Sequence, residues 1–250
     1  MRRLSGVVIV RDEEKNIREC LEGLRFCDET VVVDSGSRDR TVEMARSVGA
    51  KVFPKPFVDF ASQKNFGIEK ASGEWLLLVD ADERVSPELA FEIKQVLQKP
   101  QADGYFVRRL NRIFGRWMKH GGSGNDSQLR LARKEKAVFQ GRVHERIRLD
   151  SPIGRLQNPL WHASTPTVRD YMRKLNHYTS LEAGGLAGKN EIFSEKKMKR
   201  RPLFLFFYLQ GWKRGFLDGA EGFIFNMLSA YYEFVRRAKH WELMSKGGSS

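Results

Sequence analysis

The sequence is poor in cysteine, in glycine-loop signatures, in acidic residues and in long uncharged apolar runs, and each scarcity removes a class of protein. Two cysteines, Cys20 and Cys27, among 250 residues supply neither a disulfide framework nor the ligand spacing of a zinc site, which fits a reducing compartment. No apolar stretch approaches the roughly 18 uncharged residues of a membrane-spanning helix, and the mean hydropathy is −0.49. The apolar run Gly6 to Val10 is halted at once by Arg11-Asp12-Glu13-Glu14, so no export signal is expected. Neither G-x-G-x-x-G nor G-x-x-x-x-G-K-[ST] occurs, so phosphates are not held by either standard glycine loop. G-x-S-x-G is missing too, and His144-Glu145 is too short to be an H-E-x-x-H zinc helix, which argues against nucleophilic and zinc hydrolases. Acids number 31 against 44 Lys plus Arg, a net charge of +13. That balance suits polyanionic partners, namely nucleic acid, phosphorylated ligands or an anionic bilayer.

What is present reads as a globular α/β chain. The first hundred residues alternate short β-branched runs with amphipathic stretches, the pattern of βα units around a parallel sheet. Strands are expected at Leu4 to Val10, Thr30 to Val33, Lys51 to Phe53 and Glu74 to Val79, the last continuously apolar and hence buried on both faces. Helices are expected at Glu14 to Leu24, Thr41 to Val48 with Gly49 as a left-handed cap, and Ala61 to Lys70. A fourth runs from Pro87, behind the N-cap Ser86, to Leu97. After Pro100 the texture is basic and mixed, with short strands at Tyr105 to Arg108 and Gln128 to Leu131. From Thr167 onward it is helical, and Gly247 to Ser250 reads as a frayed tail.

Three carboxylates stand at expected strand ends, where ligands of open α/β sheets bind: Asp34, Asp80 and Asp82. Asp80-Ala81-Asp82 can present oxygen ligands to Mg²⁺ or Mn²⁺ and leave positions for water and phosphate oxygens. An Asp-x-Asp alone more often caps a turn. Asp34-Ser35-Gly36-Ser37 allows close approach to a nucleobase and ribose, or equally is a turn with Ser37 as an N-cap. Lys64, Asn65 and the arginines of the second half are candidate cations for a diphosphate, against solvated surface charge.

Together these residues resemble family 2 glycosyltransferases of the GT-A fold. Val7 to Ile17 is similar to the family's first strand and loop, Val31 to Thr41 to its nucleotide-binding segment, and Asp80-Ala81-Asp82 to its metal motif. Gln63-Lys64-Asn65, Gly104-Tyr105, His120-Gly121-Gly122, Gln128-Leu129-Arg130-Leu131, Val143-His144-Glu145 and Lys213 to Gly219 resemble the bacterial lipopolysaccharide core β-glucosyltransferase subgroup. The likeness extends from about Leu4 to Leu243. It implies a Rossmann-like mixed sheet flanked by helices in residues 1–165, with a nucleotide-sugar half (1–100) and an acceptor-side half (101–165), followed by a helical region at 166–246. The reaction implied moves glucose from UDP-glucose, with inversion, to a glycan hydroxyl such as that of the lipopolysaccharide inner core. By the same resemblance Val10, Arg11, Glu13, Asp34 and the Gly36 turn bind the donor nucleotide, and Lys64, Asp80 and Arg130 bind substrate. Asp82, assisted by Asp80, holds the divalent ion. His144 either completes that shell or contacts the diphosphate, or else packs beside Trp161 or His162. Asp126 is the catalytic base, with Glu145 as its alternative. One departure is Ser123-Gly124-Asn125, where the family carries aromatic and proline residues, which implies a different or more open acceptor pocket.

Lys196-Lys197-Met198-Lys199-Arg200-Arg201 precedes the aromatic run Leu203 to Tyr208. This segment suits an anionic membrane interface at the inner face of the cytoplasmic membrane, or a helix packed on the catalytic domain or on a second subunit. Two other readings compete: transfer to a peptide or lipid-phosphate acceptor, and, far lower, nucleic-acid binding. No helix-turn-helix, zinc finger or RNP motif supports the latter.

Overall fold

Four β-branched runs become parallel neighbours because each is apolar on alternate residues toward both faces of one sheet. The computed structural model describes residues 3–124, 126–140, 146–147, 149–165, 167–189 and 191–247. Strands β1 (Leu4–Val10), β2 (Glu29–Asp34), β3 (Lys51–Pro54) and β4 (Trp75–Asp80) alternate with helices α1 (Ile17–Glu22), α2 (Thr41–Ser47) and α3 (Phe60–Lys70). They lie in the order β3-β2-β1-β4, all parallel. Leu4, Val8, Val10, Val32, Trp75, Leu77 and Val79 form one face, packed with Ile17, Cys20 and Leu24 on the α1 side. Val7, Val31, Leu76 and Leu78 form the other, against Ala61 and Ile68 of α3. Each such fully buried side chain stabilises the fold by about 1.5–3 kcal/mol.

Helix α3 lies unusually close to the sheet. A Cβ on Gly67 would stand 2.6 Å from Val7 Cγ1, so any other residue there would lift the helix. Lys64, one turn earlier on the same side, is thereby drawn down over the strands.

Beyond β4 the chain makes β5 (Glu83–Val85) and α4 (Pro87–Gln98), whose cap Ser86 accepts from Leu89 N at 3.1 Å. Then follow β6 (Gly104–Ile113), β7 (Arg116–Met118), β8 (Asp126–Arg133), β9 (Phe139–Gln140), β10 (Arg146–Ile147), β11 (Ile153–Arg155) and β12 (Leu160–Thr165). The sheet continues from β4 through β8, β6, β12 and β5. β8 is antiparallel to both β4 and β6, and β12 to β5. The parallel βα half thus passes into a mixed half, as the mixed sheet expected from the resemblance requires. The expected helix over Glu14 to Leu24 is shorter, because the amides of Glu13 and Glu14 bond across to Thr41 and Asp39 and hold that stretch as a turn.

The chain divides into two compact units, Met1–Arg109 with Asp126–His162, and Leu110–Asn125 with Ala163–Ser250. The second unit therefore takes in a stretch, 110–125, that the sequence reading placed in the acceptor-side half. It comprises the last residues of β6 (110–113) with β7, and helices α5 (Val168–Gly188), α6 (Glu195–Phe207) and α7 (Gly219–Gly247), with α5 and α6 both packed on α7. Two motifs about a hundred residues apart meet inside it. The buried Asp218 carboxylate accepts from Lys119 N and His120 N, at 3.1 and 2.8 Å to Oδ2, and lies 3.0 Å from His120 Nδ1 through Oδ1. Gly121 N donates to Lys213 O at 2.9 Å, and Gly122 N to the buried Asn226.

Candidate active site

Register brings Asp34 and Asp80 to one edge of the first unit, and Asp82 follows in the turn between β4 and β5. Asp34 is paired with Val10 and Asp80 with Ile9 on opposite sides of β1, so the two carboxylate positions stand two strand spacings apart, about 10 Å.

The β2 end is a surface made by neutral donors. Asp34 is buried and accepts from Gly36 N at 3.1 Å, from Ser37 N at 3.1 Å and from Ser37 Oγ at 2.6 Å. Gly36 sits at φ +89°, a left-handed conformation that costs L-residues energy. Ser37 is therefore a turn residue and not an N-cap: α2 starts later, behind Arg40, where Asp39 Oδ1 accepts from Thr41 N. The β1–α1 and β2–α2 loops are zipped together, with Asp12 N donating to Ser37 Oγ, Arg38 N to Asp12 Oδ1, Glu13 N to Thr41 Oγ1 and Arg40 N to Glu14 Oε2. Val10, Arg11, Glu13, Asp34 and Gly36 thus share one preorganised ledge, on which Val10 is buried and Arg11 is exposed. The Glu13 carboxylate accepts from Asn16 Nδ2 at 2.8 Å.

The β4 end is held by cations. Asp80 Oδ2 accepts from Arg130 Nη2 at 2.6 Å, and Oδ1 lies 3.7 Å from Lys64 Nζ. Burial acts to raise the Asp80 carboxyl, but Arg130 and then Lys64 outweigh it and hold it well below the usual carboxylate range. Arg130, buried and only 2% exposed, donates from the same nitrogen to Glu83 Oε1 at 2.5 Å. Glu83 also receives Asp80 N on Oε2 at 2.8 Å and Arg109 Nη1 on Oε1 at 3.3 Å. Burial pushes the Glu83 carboxyl up, with Arg130 opposing and the Asp80 charge adding to the rise. Arg109 in turn donates to Asp126 Oδ2 from Nε at 2.8 Å, and its Nη2 lies 2.6 Å from the same oxygen. A continuous chain Asp80–Arg130–Glu83–Arg109–Asp126 therefore links the Asp-x-Asp motif to the expected base.

Asp82, between network members Asp80 and Glu83 in sequence, faces elsewhere. Its Oδ2 lies 3.2 Å from His162 Nε2, with the two side chains 30% and 13% exposed. Among the described residues no three Asp, Glu, His or Cys side chains converge as a metal cage. A carboxylate beside an imidazole nitrogen, both partly open, nevertheless fits a divalent ion that takes its remaining ligands from water and phosphate oxygens. Asp80 is placed differently from the expectation of a helper ligand, since both its oxygens face cations. Arg130, expected on substrate, is enclosed between carboxylates. His144 and Glu145 lie outside the described residues.

The sequence reading missed Glu83, Arg109 and the part played by His162. The gap among Ile9, Lys64, Asp80 and Arg130 is too small for a water molecule, so the network is closed at this point. A wider cleft, by Arg3, Gly73 and Lys134, lies at the opposite ends of the strands and holds none of these groups.

Comparison with known proteins agrees with the geometry. The sequence profile described as Glycosyl transferase family 2 matches residues 5–146. An uncharacterized glycosyltransferase of Rickettsia typhi is 28% identical over 98% of this chain and 89% of its own. The lipopolysaccharide core biosynthesis glycosyltransferase LpsC of Rhizobium meliloti is 29% identical over 96% of this chain and 92% of its own. Among solved structures, S. aureus TarS 1–349 is 16% identical, covers 98% of this chain and 92% of its own, and has a TM-score of 0.47. Glucosyl-3-phosphoglycerate synthase from Mycobacterium tuberculosis, in complex with Mn²⁺, UDP-glucose and phosphoglyceric acid, is 18% identical over 54% and 58%, with a TM-score of 0.42. The strand-end aspartates, the mixed sheet that carries them and a profile match across more than half the chain converge on one conclusion: this chain belongs to glycosyl transferase family 2.

Proposed function

We propose that the chain transfers a hexose, glucose from UDP-glucose, to a hydroxyl of a glycan acceptor such as the lipopolysaccharide inner core, with inversion at the anomeric carbon. The observation that carries this reading is the alternating chain of carboxylates and guanidiniums from Asp80 to Asp126, to which Lys64 adds the third cation, with the Asp82–His162 pair beside it. The acceptor class is supported by the printed role of the R. meliloti relative.

The ledge at Asp34 and Gly36 receives the nucleoside, its backbone open to close approach. Asp82 and His162 would hold Mg²⁺ or Mn²⁺, which supplies Lewis-acid stabilisation of the departing diphosphate. Lys64 adds positive charge at the β4 end, 3.7 Å from Asp80. Arg130 positions Asp80 and Glu83 and does not itself reach the diphosphate. Asp126, oriented by Arg109, accepts the proton of the acceptor hydroxyl as that oxygen attacks the anomeric carbon, a contribution of about 10²- to 10⁴-fold. The relay through Glu83 keeps the base and the Asp-x-Asp loop in a common register.

Calorimetric titration of UDP and UDP-glucose with and without Mn²⁺ tests the reading. Wild type should bind in a metal-dependent way, Asp82→Ala should lose the metal dependence, and Asp126→Asn should bind donor normally while transfer falls by at least about a hundredfold. Metal-independent donor binding that Asp82→Ala leaves unchanged would refute the site.

A further inference from the structure

Helix α6 and the turn after it carry two apolar faces, and only one is covered. Met198, Pro202, Leu205 and Leu209 follow at spacings of four, three and four residues and are buried or half-buried. Phe206, next to this face, meets Phe223 at the start of α7 with ring centroids 5.6 Å apart. The opposite face runs Lys196, Arg200, Leu203, Phe204, Phe207, again at helical spacing. Leu203, Phe204 and Phe207 are 64%, 69% and 68% exposed, and the following turn adds Trp212 at 81% and Phe216 at 56%. The packing and interfacial readings of this segment therefore each describe half of its aromatics.

The charge around the open face is predominantly positive, the one acid on α6 being Glu195, which pairs with Lys199 at 2.5 Å. Lys196, Lys197, Lys199, Arg200, Arg201, Lys213 and Arg214 fall between residues 196 and 217 with no Asp or Glu among them. We propose that this face docks the second unit on the surface of an anionic lipid bilayer, its Leu203, Phe204, Phe207 and Trp212 entering the acyl boundary while the cations meet headgroup phosphates. A second copy of the chain is a poorer occupant, because a two-fold contact would set the same seven cations against themselves. Nucleic acid is poorer too: bases could stack on Phe204, Phe207 and Trp212 but would leave the aliphatic Leu203 and the 49% exposed Leu217 uncovered, whereas an acyl boundary takes aliphatic and aromatic groups alike. No helix among the described residues is long and apolar enough to cross a membrane, so the contact is interfacial.

The test is cosedimentation of the full chain with phosphatidylcholine vesicles, with and without phosphatidylglycerol. Wild type should partition at least about tenfold more strongly onto the anionic vesicles, and less so as salt rises. Phe204→Ser combined with Phe207→Ser should lower that partition about tenfold or more. Arg200→Glu combined with Arg201→Glu should abolish the preference for anionic lipid. These side chains are exposed and the variants should still bind UDP, which separates loss of docking from loss of fold and from failure of the catalytic reading. Equal binding to both lipids, partition that survives the Phe substitutions, preferential binding of an oligonucleotide, or a dimer dissolved by the same substitutions without vesicle binding would each overturn the proposal.

Discussion

The two carboxylate-bearing strand ends of the first unit solve the same problem in opposite ways. At β2, Asp34 is satisfied by amides and a hydroxyl of its own turn. At β4, Asp80 is satisfied by Arg130 and Lys64, brought from other elements. Local neutral donors define a shape and leave its charge alone. Distant cations make a balanced cluster whose charge can be redistributed when an anionic ligand arrives, but whose members depend on one another. A neutral cap is best tested by changing backbone freedom, a charged cluster by removing one member.

The largest effect is expected from Arg130→Met. It leaves the fully buried Glu83 and the half-buried Asp80 without their common partner and should lower unfolding free energy by about 3 kcal/mol in urea titrations. A loss below about 1 kcal/mol would mean that the cluster is not interdependent. The same comparison predicts a pH signature. The native Asp80 carboxyl titrates below its unfolded value, so its contribution is complete above about pH 4 and fades as pH falls through the depressed native value. Arg130→Met should flatten that acid limb.

At the β2 end, Gly36→Ala should cost about 1 kcal/mol, because Ala must adopt the φ of +89°, and it should weaken UDP binding without altering metal dependence. An equal change in metal response would show that the two ends are not separable. The smallest effect concerns Glu29 at the opposite end of β2. Burial acts to raise its carboxyl, yet hydrogen bonds from Lys51, Ser5 and Ser72 bring it down to about 2. Glu29→Gln should therefore destabilise at neutral pH and converge with wild type as pH falls from about 4.5 toward 2, followed by thermal melts across that window.

The parallel half was legible because its signals are local. Val and Ile runs, Gly49 in the left-handed region at φ +87°, and the Ser86-Pro87 start each specify their own segment. The ordered motif fragments were likewise readable, and the structure places Asp34, Lys64, Asp80, Asp82, Asp126 and Arg130 all in the first unit. What escaped depends on pairing across long stretches. Glu83 sits on a three-residue strand joined to β12 through Leu160–Val85 and His162–Glu83, and nothing in A-D-E-R-V tells which acid will be fully enclosed. Arg109 is one of many arginines until its register with Asp126 across β6 and β8 singles it out. His162 meets Asp82 only because β12 returns beside β5, a contact eighty residues apart.

Cys20 is fully buried, and its thiol donates to the carbonyl of Asp80 at 3.6 Å. Burial drives that thiol far above its ordinary range, and pushes Cys27 up to about 12. Neither sulfur is a ready thiolate while the sheet edge is closed. The chain therefore carries an intrinsic clock for its own breathing: the rate at which an alkylating reagent reaches Cys20 measures how often α1 lifts from the end of β4, and, if that end holds the proposed site, bound donor should slow it.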